Sequence, residues 1–175
     1  MRLFCGLRLP PETVERVVAW ESDAFGAVSA VRPVPAEHLH VTLAFLGHRP
    51  VGELDAIVGA LREAAAGAAP ARLTLRGYRE TRSVGMLTFD DEEGRAAAFA
   101  EDLQGRLEAL AVYERERRRW LPHVTVLRFR RRPGLRPALP EQAPIVPSDA
   151  AAYLSRLRPG GAQYEVVEAV ALGGG

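Results

Sequence analysis

The chain has 175 residues, of which 47% are hydrophobic and 26% charged, and its formal net charge at pH 7 is +1. This composition is typical of a soluble globular protein, and the length predicts one domain or two small lobes that share a core. No apolar run is long enough to form a membrane-spanning helix, so the sequence excludes a helical membrane protein.

The start of the chain and its single cysteine bear on where the protein works. Met1 is followed directly by a strand pattern, so we expect no secretory signal peptide. Cys5 is the only cysteine and cannot form an internal disulfide, which fits a reducing environment and predicts a cytoplasmic protein. We expect Cys5 itself to be a small buried apolar side chain rather than a catalytic thiol.

Strand and helix patterns are mixed along the chain. Strands are predicted at 2–9, 31–34, 38–46, 71–78, 84–89, 121–130, 151–157 and 164–172. Strands 71–78 and 84–89 are predicted to form a hairpin with its turn around 79–83. Helices are predicted at 10–30, 51–66 and 92–110, while 113–120 has no clear preference and 133–148, with five prolines, is a loop. The order contains no regular βαβ repeat, which favours an α+β fold with antiparallel sheets.

Two of the predicted strands carry the same motif. His40-Val41-Thr42-Leu43 and His123-Val124-Thr125-Val126 each place a His and a Thr two residues apart, and the two copies begin 83 positions apart, near half the chain length. Because alternate side chains of a strand share a face, each copy offers one imidazole and one hydroxyl on one face and two aliphatic side chains on the other. The repeat suggests two similar halves that each contribute a His/Thr pair to a shared cleft.

Paired imidazoles and hydroxyls indicate chemistry on a phosphate. Two histidines facing one another can supply a general base and a general acid at neutral pH, and the hydroxyls can donate to anionic oxygens. The basic residues agree with an anionic substrate: all 23 are arginines, and nine lie between 115 and 136, around the second motif. Arginine binds phosphate through a planar fork, so this segment suits a polyanion such as RNA, although a solvated basic surface would have the same sequence.

The two motifs and their flanks resemble a known family, the RNA 2′,3′-cyclic phosphodiesterases of the bacterial 2′-5′ RNA ligase type, in the 2H phosphoesterase superfamily. The paired His-x-Thr-x motifs define that superfamily. Residues 37–47 (EHLHVTLAFLG) and 122–128 (PHVTVLR) are similar to its two motif blocks, residues 2–7 (RLFCGL) to its first strand, and the segment from Ser155 to Val166 to its closing strands.

The resemblance implies a fold, a reaction and a set of roles. The fold would be a single bilobal domain over 1–175, with two pseudo-twofold-related lobes, each an antiparallel sheet flanked by helices, and the active-site cleft between them. The reaction would open RNA 2′,3′-cyclic phosphate ends, or a cyclic-phosphate nucleotide, to 2′-phosphomonoesters without a metal or cofactor, and its reverse would be 2′-5′ ligation. His40 and His123 would be catalytic, and Thr42, Thr125 and Arg128 would bind the phosphate. We expect a monomer that does not associate with membranes.

Some residues and functions stay open at this stage. Strict alternation puts Arg128 on the face opposite His123, and only a bulge or a strand end between 125 and 128 would turn it into the cleft. Phe45 and Trp120 could stack on a nucleobase or simply pack in the core. His38 could lie at the rim of the cleft, or pair with His40 as two ligands of a metal hydrolase. A non-catalytic RNA-binding module is the other alternative.

Overall fold

The computed structural model of this chain describes residues 1–158 and 161–173, and within them eight β-strands and three α-helices follow one another in mixed order. The strands are β1 (Arg2–Arg8), β2 (Arg32–Pro33), β3 (His40–His48), β4 (Leu73–Glu80), β5 (Val84–Asp91), β6 (His123–Arg128), β7 (Asp149–Arg158) and β8 (Gly161–Ala171). The helices are α1 (Pro11–Phe25), α2 (Leu54–Ala66) and α3 (Arg95–Ala109). The predicted elements are all present, and the α+β class is confirmed.

The eight strands form one antiparallel sheet in the order β4-β5-β6-β3-β1-β7-β8, with the short β2 paired to the end of β6. The sheet has two halves of four strands, one made of β2, β4, β5 and β6 and the other of β1, β3, β7 and β8. The halves meet where β3 and β6 run side by side, and that junction is narrow because Val41 and Val124 are the one paired position between them. The two motif strands therefore lie at the centre of the molecule.

The helices cover one face of the sheet. Helix α2 packs against β7 and β8, and α3 packs against β3 and β5 as well as against α2. Val41 and Val124 point towards this side and are fully buried in the main hydrophobic core, together with apolar side chains such as Leu61 and Leu103 from the helices. Burying these valines fixes the orientation of both motif strands, so the side chains at alternate positions must point to the opposite face.

Helix α1 ends earlier than the sequence pattern predicts. We expected a helix as far as residue 30, but it stops at Phe25, and the amide of Gly26 closes the last turn on the carbonyl of Ser22. Glycine has a low helix propensity, and the chain continues through a turn in which Val28 donates to the carbonyl of Phe25. Strand β3 also begins later than expected, because residues 36–38 form a short 3-10 turn in front of it.

The proline-rich segment 133–148 has no regular secondary structure, as predicted, but it is anchored. Ile145 pairs with Leu73 at the start of β4, and the carbonyl of Ala138 accepts a hydrogen bond of 2.7 Å from the Trp20 indole. The carboxylate of Glu80 accepts hydrogen bonds from the backbone amides of Gly134 and Leu135. Of the three helices in the described residues, none combines the length and the apolar character that crossing a bilayer requires.

Candidate active site

The narrow junction between β3 and β6 brings the two motifs together. Since Val41 lies opposite Val124 in an antiparallel pair, the register places His40 opposite Thr125 and Thr42 opposite His123. These four side chains, which we call the His/Thr quartet, occupy the face that the helices leave open, and all four are partly exposed. Each histidine thus lies across from the threonine of the other motif, which is the arrangement that a local twofold relation between the motifs produces.

Both histidine rings are oriented by the same backbone contact. The Nδ1 of His40 lies 2.7 Å from the carbonyl oxygen of His38, and the Nδ1 of His123 lies 2.9 Å from the carbonyl oxygen of Leu121. A carbonyl oxygen can only accept, so each Nδ1 carries the proton and donates it, which leaves each Nε2 for the open face. In His40 the Nε2 accepts a hydrogen bond of 3.1 Å from the Thr42 hydroxyl.

The two histidines have different surroundings. The His40 ring stacks on Phe4 at 4.7 Å between centroids, and Tyr153 and Tyr164 lie 5.6 and 5.7 Å away. The pKa of His40 is lowered to about 4, and burial is the largest cause. The hydrogen bond to the His38 carbonyl opposes this shift, while the nearby positive charge of His123, His38 and Arg128 adds to it. His40 is therefore neutral at pH 7 in the unliganded protein.

Two β-bulges decide which side chains follow the quartet on the open face. In β6, Leu127 pairs with Gly85 and Thr125 with Met86, so Val126 is an extra residue in the ladder. Val126 and Leu127 are both buried, and Arg128 then emerges on the same face as Thr125 and lines the same pocket. The bulge that would reconcile Arg128 with the cleft is present.

Strand β3 has the same irregularity at the same place in its motif. Leu43 is the extra residue, because Ala44 pairs with Cys5 and Thr42 with Gly6. Phe45 therefore emerges beside Thr42, just as Arg128 emerges beside Thr125, and each is the fifth residue after its motif histidine. The Phe45 ring is 49% exposed and lies below the Arg2 guanidinium, whose Cζ is 5.0 Å from the ring centroid.

Gly6 of β1 makes room for the His40 ring. A Cβ atom at this position would lie 3.0 Å from the Val41 carbonyl oxygen and 3.1 Å from Cδ2 of His40. Both distances are tighter than ordinary packing, so a larger residue at position 6 would press on the imidazole.

Pockets open on both sides of the quartet. One, of about 350 Å³, is lined by His40, Thr42, Thr125 and Arg128. The other, of about 310 Å³, is lined by Thr42 and His123 and by apolar and aromatic side chains, among them Met86, Tyr113 and Trp120. Phe45 and Thr42 border both pockets, so a group at the quartet can extend in two directions.

Trp120 and His38 both prove to be part of the site's surroundings. The Trp120 indole donates a hydrogen bond of 2.9 Å to the carbonyl of Thr42, so it braces the first motif from the second half of the chain. His38 lies at the rim, packed on Tyr164 at 4.3 Å between centroids. Residues 1–158 and 161–173 contain no group of three or more His, Cys, Asp or Glu side chains that could hold a metal ion, so the His38/His40 pair lacks the further ligands that the metal hydrolase requires.

The arginines of 115–136 serve different purposes. Arg118 and Arg119 line the pocket next to His123, and Arg128 lines the pocket next to His40. Arg115 pairs with acidic side chains of α3, and Arg132 pairs with Glu80 at 3.3 Å. The segment is therefore not one uniform basic surface.

Sequence reasoning did not find the aromatic residues that enclose His40. Phe4, Tyr153 and Tyr164 come from β1, β7 and β8, and Phe4 and Tyr153 stack on one another at 4.7 Å. They form a separate small cluster on the open face of the sheet. The alternation of Phe4 with the buried Leu3 and Cys5 was a usable signal, but the pairing of distant strands that brings the three rings to His40 has no local signature.

Comparison with known proteins gives concordant results. A family model described as the 2′-5′ RNA ligase superfamily matches residues 9–158. An RNA 2′,3′-cyclic phosphodiesterase of Thermus thermophilus is 31% identical over 99% of this chain and 91% of its own length. A crystal structure from the same organism has a TM-score of 0.84 at 29% identity and covers 99% of both chains. Escherichia coli LigT in complex with 3′-AMP has a TM-score of 0.79 at 25% identity, covering 98% of this chain and 96% of LigT.

Proposed function

This chain belongs to the 2′-5′ RNA ligase superfamily, and on that premise we propose that it is an RNA 2′,3′-cyclic phosphodiesterase that opens cyclic phosphate ends to 2′-phosphomonoesters. The observation that carries the proposal is the register of β3 and β6, which places each motif histidine opposite the threonine of the other motif. The Thermus thermophilus relative bears the name of this activity, and the match to it extends over nearly the whole chain.

The reaction needs one proton removed and one delivered. A water molecule attacks the phosphorus and gives its proton to one histidine, while the bond from phosphorus to the ribose 3′-oxygen breaks and that oxygen takes a proton from the other histidine. The bond to the 2′-oxygen stays, so the product is a 2′-phosphomonoester with a free 3′-hydroxyl. We assign these two proton transfers to His40 and His123, and each such transfer typically contributes about 10²- to 10⁴-fold to the rate.

The orientation of the rings supports this assignment. Each Nδ1–H is held by a backbone carbonyl, so each Nε2 is the ring nitrogen that can exchange a proton with the substrate. The carbonyl also stabilises the imidazolium that forms when Nε2 takes up a proton. A phosphate at the quartet would compete with His40 for the Thr42 hydroxyl and would raise the pKa of His40, because its negative charge favours the protonated ring.

The remaining polar groups at the quartet suit the phosphate oxygens. We propose that the hydroxyls of Thr42 and Thr125 donate to the non-bridging oxygens, and that the Arg128 guanidinium offsets the negative charge that grows on them in the transition state. Arg128 is held near this position by a hydrogen bond of 3.4 Å that it donates to the Tyr164 hydroxyl. With a ribose 5′-hydroxyl in place of water as the nucleophile, the same ring opening would join RNA ends through a 2′-5′ bond.

We propose the following domain organisation, oligomeric state and location for this protein. Residues 1–175 form one bilobal catalytic domain, since strands from both halves build the quartet. The protein acts as a monomer on RNA ends or on cyclic-phosphate nucleotides, and LigT, a homologue, has been crystallised with 3′-AMP. It works in the cytoplasm, where the buried free thiol of Cys5 stays reduced.

The test is turnover of adenosine 2′,3′-cyclic phosphate by the pure protein in the presence of a chelator, with the product isomer identified by chromatography. We expect 2′-AMP as the product, and near-complete loss of turnover in His40→Ala and in His123→Ala. The double variant should be little worse than either single one, because the two groups act as a unit. His48→Ala removes an exposed histidine at the end of β3 and should keep full activity.

Each part of the proposal can fail separately in this assay. Formation of 3′-AMP would assign the cleavage to the other bond. Retained turnover in His123→Ala, with folding verified by circular dichroism, would remove the two-histidine mechanism. Loss of activity in the chelator would revive the metal hydrolase, and the absence of any turnover, with RNA still bound, would favour the binding module.

A further inference from the structure

A third pocket adjoins the active site, and three arginines are among the residues that line it. It has a volume of about 380 Å³ and shares His38, Arg128 and Tyr164 with the pocket next to His40, so the two are adjacent. Arg32 of β2 and Arg158 at the end of β7 add two more guanidinium groups to its lining. We call this the Arg32/Arg158 pocket.

Two of these arginines lie opposite one another, where their positive charges repel. Arg32 lies directly opposite Arg128 in the antiparallel pairing of β2 with β6. Like charges at directly opposed positions of paired strands destabilise a sheet. Across residues 1–158 and 161–173, neither Arg32, Arg128 nor Arg158 forms an ion pair with an acidic side chain, although ten other arginines do.

The lining does little to neutralise this charge. Glu37 is the one acidic residue among the side chains that line the pocket, and it makes no ion pair with the three arginines within the part of the chain that the structure describes. An anion bound between Arg32 and Arg158 would relieve the repulsion between Arg32 and Arg128 and would receive charge-assisted hydrogen bonds. The pocket therefore has the character of an anion site, and it lies next to the pocket that three members of the quartet line.

We propose that the Arg32/Arg158 pocket binds the backbone phosphate that precedes the cyclic end of an RNA strand, so that the enzyme selects an oligonucleotide over a mononucleotide. The inference rests on the proposed function, because it places the reacting cyclic phosphate at the quartet. Arg128 borders both pockets and would contact both phosphates. The strand then runs from the quartet over the rim formed by His38 and Tyr164, away from the pocket next to His123.

The test begins with binding, because binding needs no turnover. Adenosine 2′,5′-bisphosphate differs from 2′-AMP only by the 5′-phosphate, which stands where the preceding backbone phosphate of RNA would be attached. By isothermal titration calorimetry we expect the wild type to bind the bisphosphate about tenfold more tightly, the effect of one charge-assisted phosphate contact. Arg32→Gln and Arg158→Gln should each remove most of that preference and leave the affinity for 2′-AMP within about twofold.

A matched control separates a local contact from a general loss of charge. Arg76→Gln removes one positive charge from the exposed face of the edge strand β4, where Arg76 lines none of the three pockets, and it should keep the preference. Equal affinity of the wild type for both ligands would overturn the proposal, as would a loss in the variants that is the same for both ligands.

Turnover then distinguishes RNA from a free 5′-phosphate as the ligand. With a diadenylate that ends in a cyclic phosphate, Arg32→Gln and Arg158→Gln should raise KM about tenfold and leave kcat unchanged, while KM for the cyclic mononucleotide stays constant. A preference for the bisphosphate without any effect on the diadenylate would assign the pocket to a free 5′-phosphate and refute the RNA path. If the wild type binds both ligands with the expected preference and turns over neither cyclic substrate, the proposed activity fails and the pocket stands.

Discussion

The pKa of His40 offers the sharpest test of how the site is built. Three aromatic rings enclose one side of the imidazole, and burial is the largest of the causes that lower its pKa from 6.5 to about 4. Truncating one ring should let water reach His40 and raise this pKa. Tyr164→Ala is the suitable change, because Tyr164 lies edge-on to His40 and borders the pocket, so its removal opens the ring to solvent without emptying the core.

The contribution of His40 to the free energy of unfolding follows from the linkage between protonation and folding. In the unfolded chain His40 titrates near 6.5, and in the native protein near 4, so the unfolded state binds more protons between these values. Stability that is present above pH 6.5 is therefore lost as the pH falls towards 4. A difference of about 2.5 between the two pKa values corresponds to about 3 kcal/mol. Burial is the largest of several causes of this difference, so removing one of the three enclosing rings should return a fraction of it, on the order of 1 kcal/mol.

Two measurements check the prediction. The His40 ring signals, followed by NMR from pH 3 to 8, should show a pKa about one unit higher in Tyr164→Ala, whereas Tyr164→Phe, which keeps the ring and loses only the hydroxyl, should leave it low. Urea unfolding should show that His40→Asn loses about 3 kcal/mol less stability than the wild type between pH 7 and pH 4. A wild-type His40 that titrates near 6.5, or parallel stability curves for wild type and His40→Asn, would refute the reasoning.

Other predictions follow from single positions. Gly6→Ala should place a Cβ against His40 and lower kcat about tenfold, while thermal melting should show a Tm within a few degrees of the wild type. Full activity in this variant would contradict the close packing. Glu21 is buried, its Oε1 lacks a hydrogen-bond partner in the described part of the chain, and burial raises its pKa to about 8. The native state keeps that proton while the unfolded chain loses it above pH 4.5, so the free energy of unfolding should fall as the pH rises from 5 to 8. Glu21→Gln has no such proton to lose. In urea unfolding its stability relative to the wild type should therefore increase by about 3 kcal/mol between pH 5 and pH 8. Replacing both Arg130 and Arg131 by Ala should weaken the binding of oligonucleotides more than that of 2′-AMP and flatten its salt dependence, whereas adding Arg132→Ala should also lower Tm, because Arg132 is the cation paired with the carboxylate of Glu80.

Much of the fold could be predicted because local patterns and tertiary packing agree. Every strand and helix predicted from periodicity exists, and the ends that differ have local causes. Helix α1 stops at Phe25, before Gly26, although the apolar pattern continues beyond it. Residues 36–38 form a 3-10 turn rather than the first residues of β3, and this turn presents the His38 carbonyl to the His40 ring. Periodicity reports which face is apolar, not where a hydrogen-bond ladder begins.

The site could be predicted only in part for a related reason. Strand parity alone placed the four members of the quartet on one face, since the valines between them had to be buried. Parity failed after the motifs, where bulges at Leu43 and Val126 turn Phe45 and Arg128 onto the open face. The position of a bulge depends on the partner strand, which strand parity does not report. The bulge before Arg128 could be anticipated only because the family resemblance required that side chain to reach the cleft.

The two motifs have the same backbone geometry, with a bulge at the same place, yet their histidines have different surroundings. The bulges place the fifth residue after each histidine beside the quartet, and that residue is aromatic in one half and cationic in the other. Strands β7 and β8 then extend the half that holds β3 and enclose His40 among aromatic rings, while His123 borders the pocket of Met86 and Trp120. Opening a cyclic phosphate requires one group that takes a proton and one that gives a proton in the same step. Two identical environments would give both rings the same protonation preference, so the asymmetric lining supplies a distinction that the repeated motif by itself does not contain.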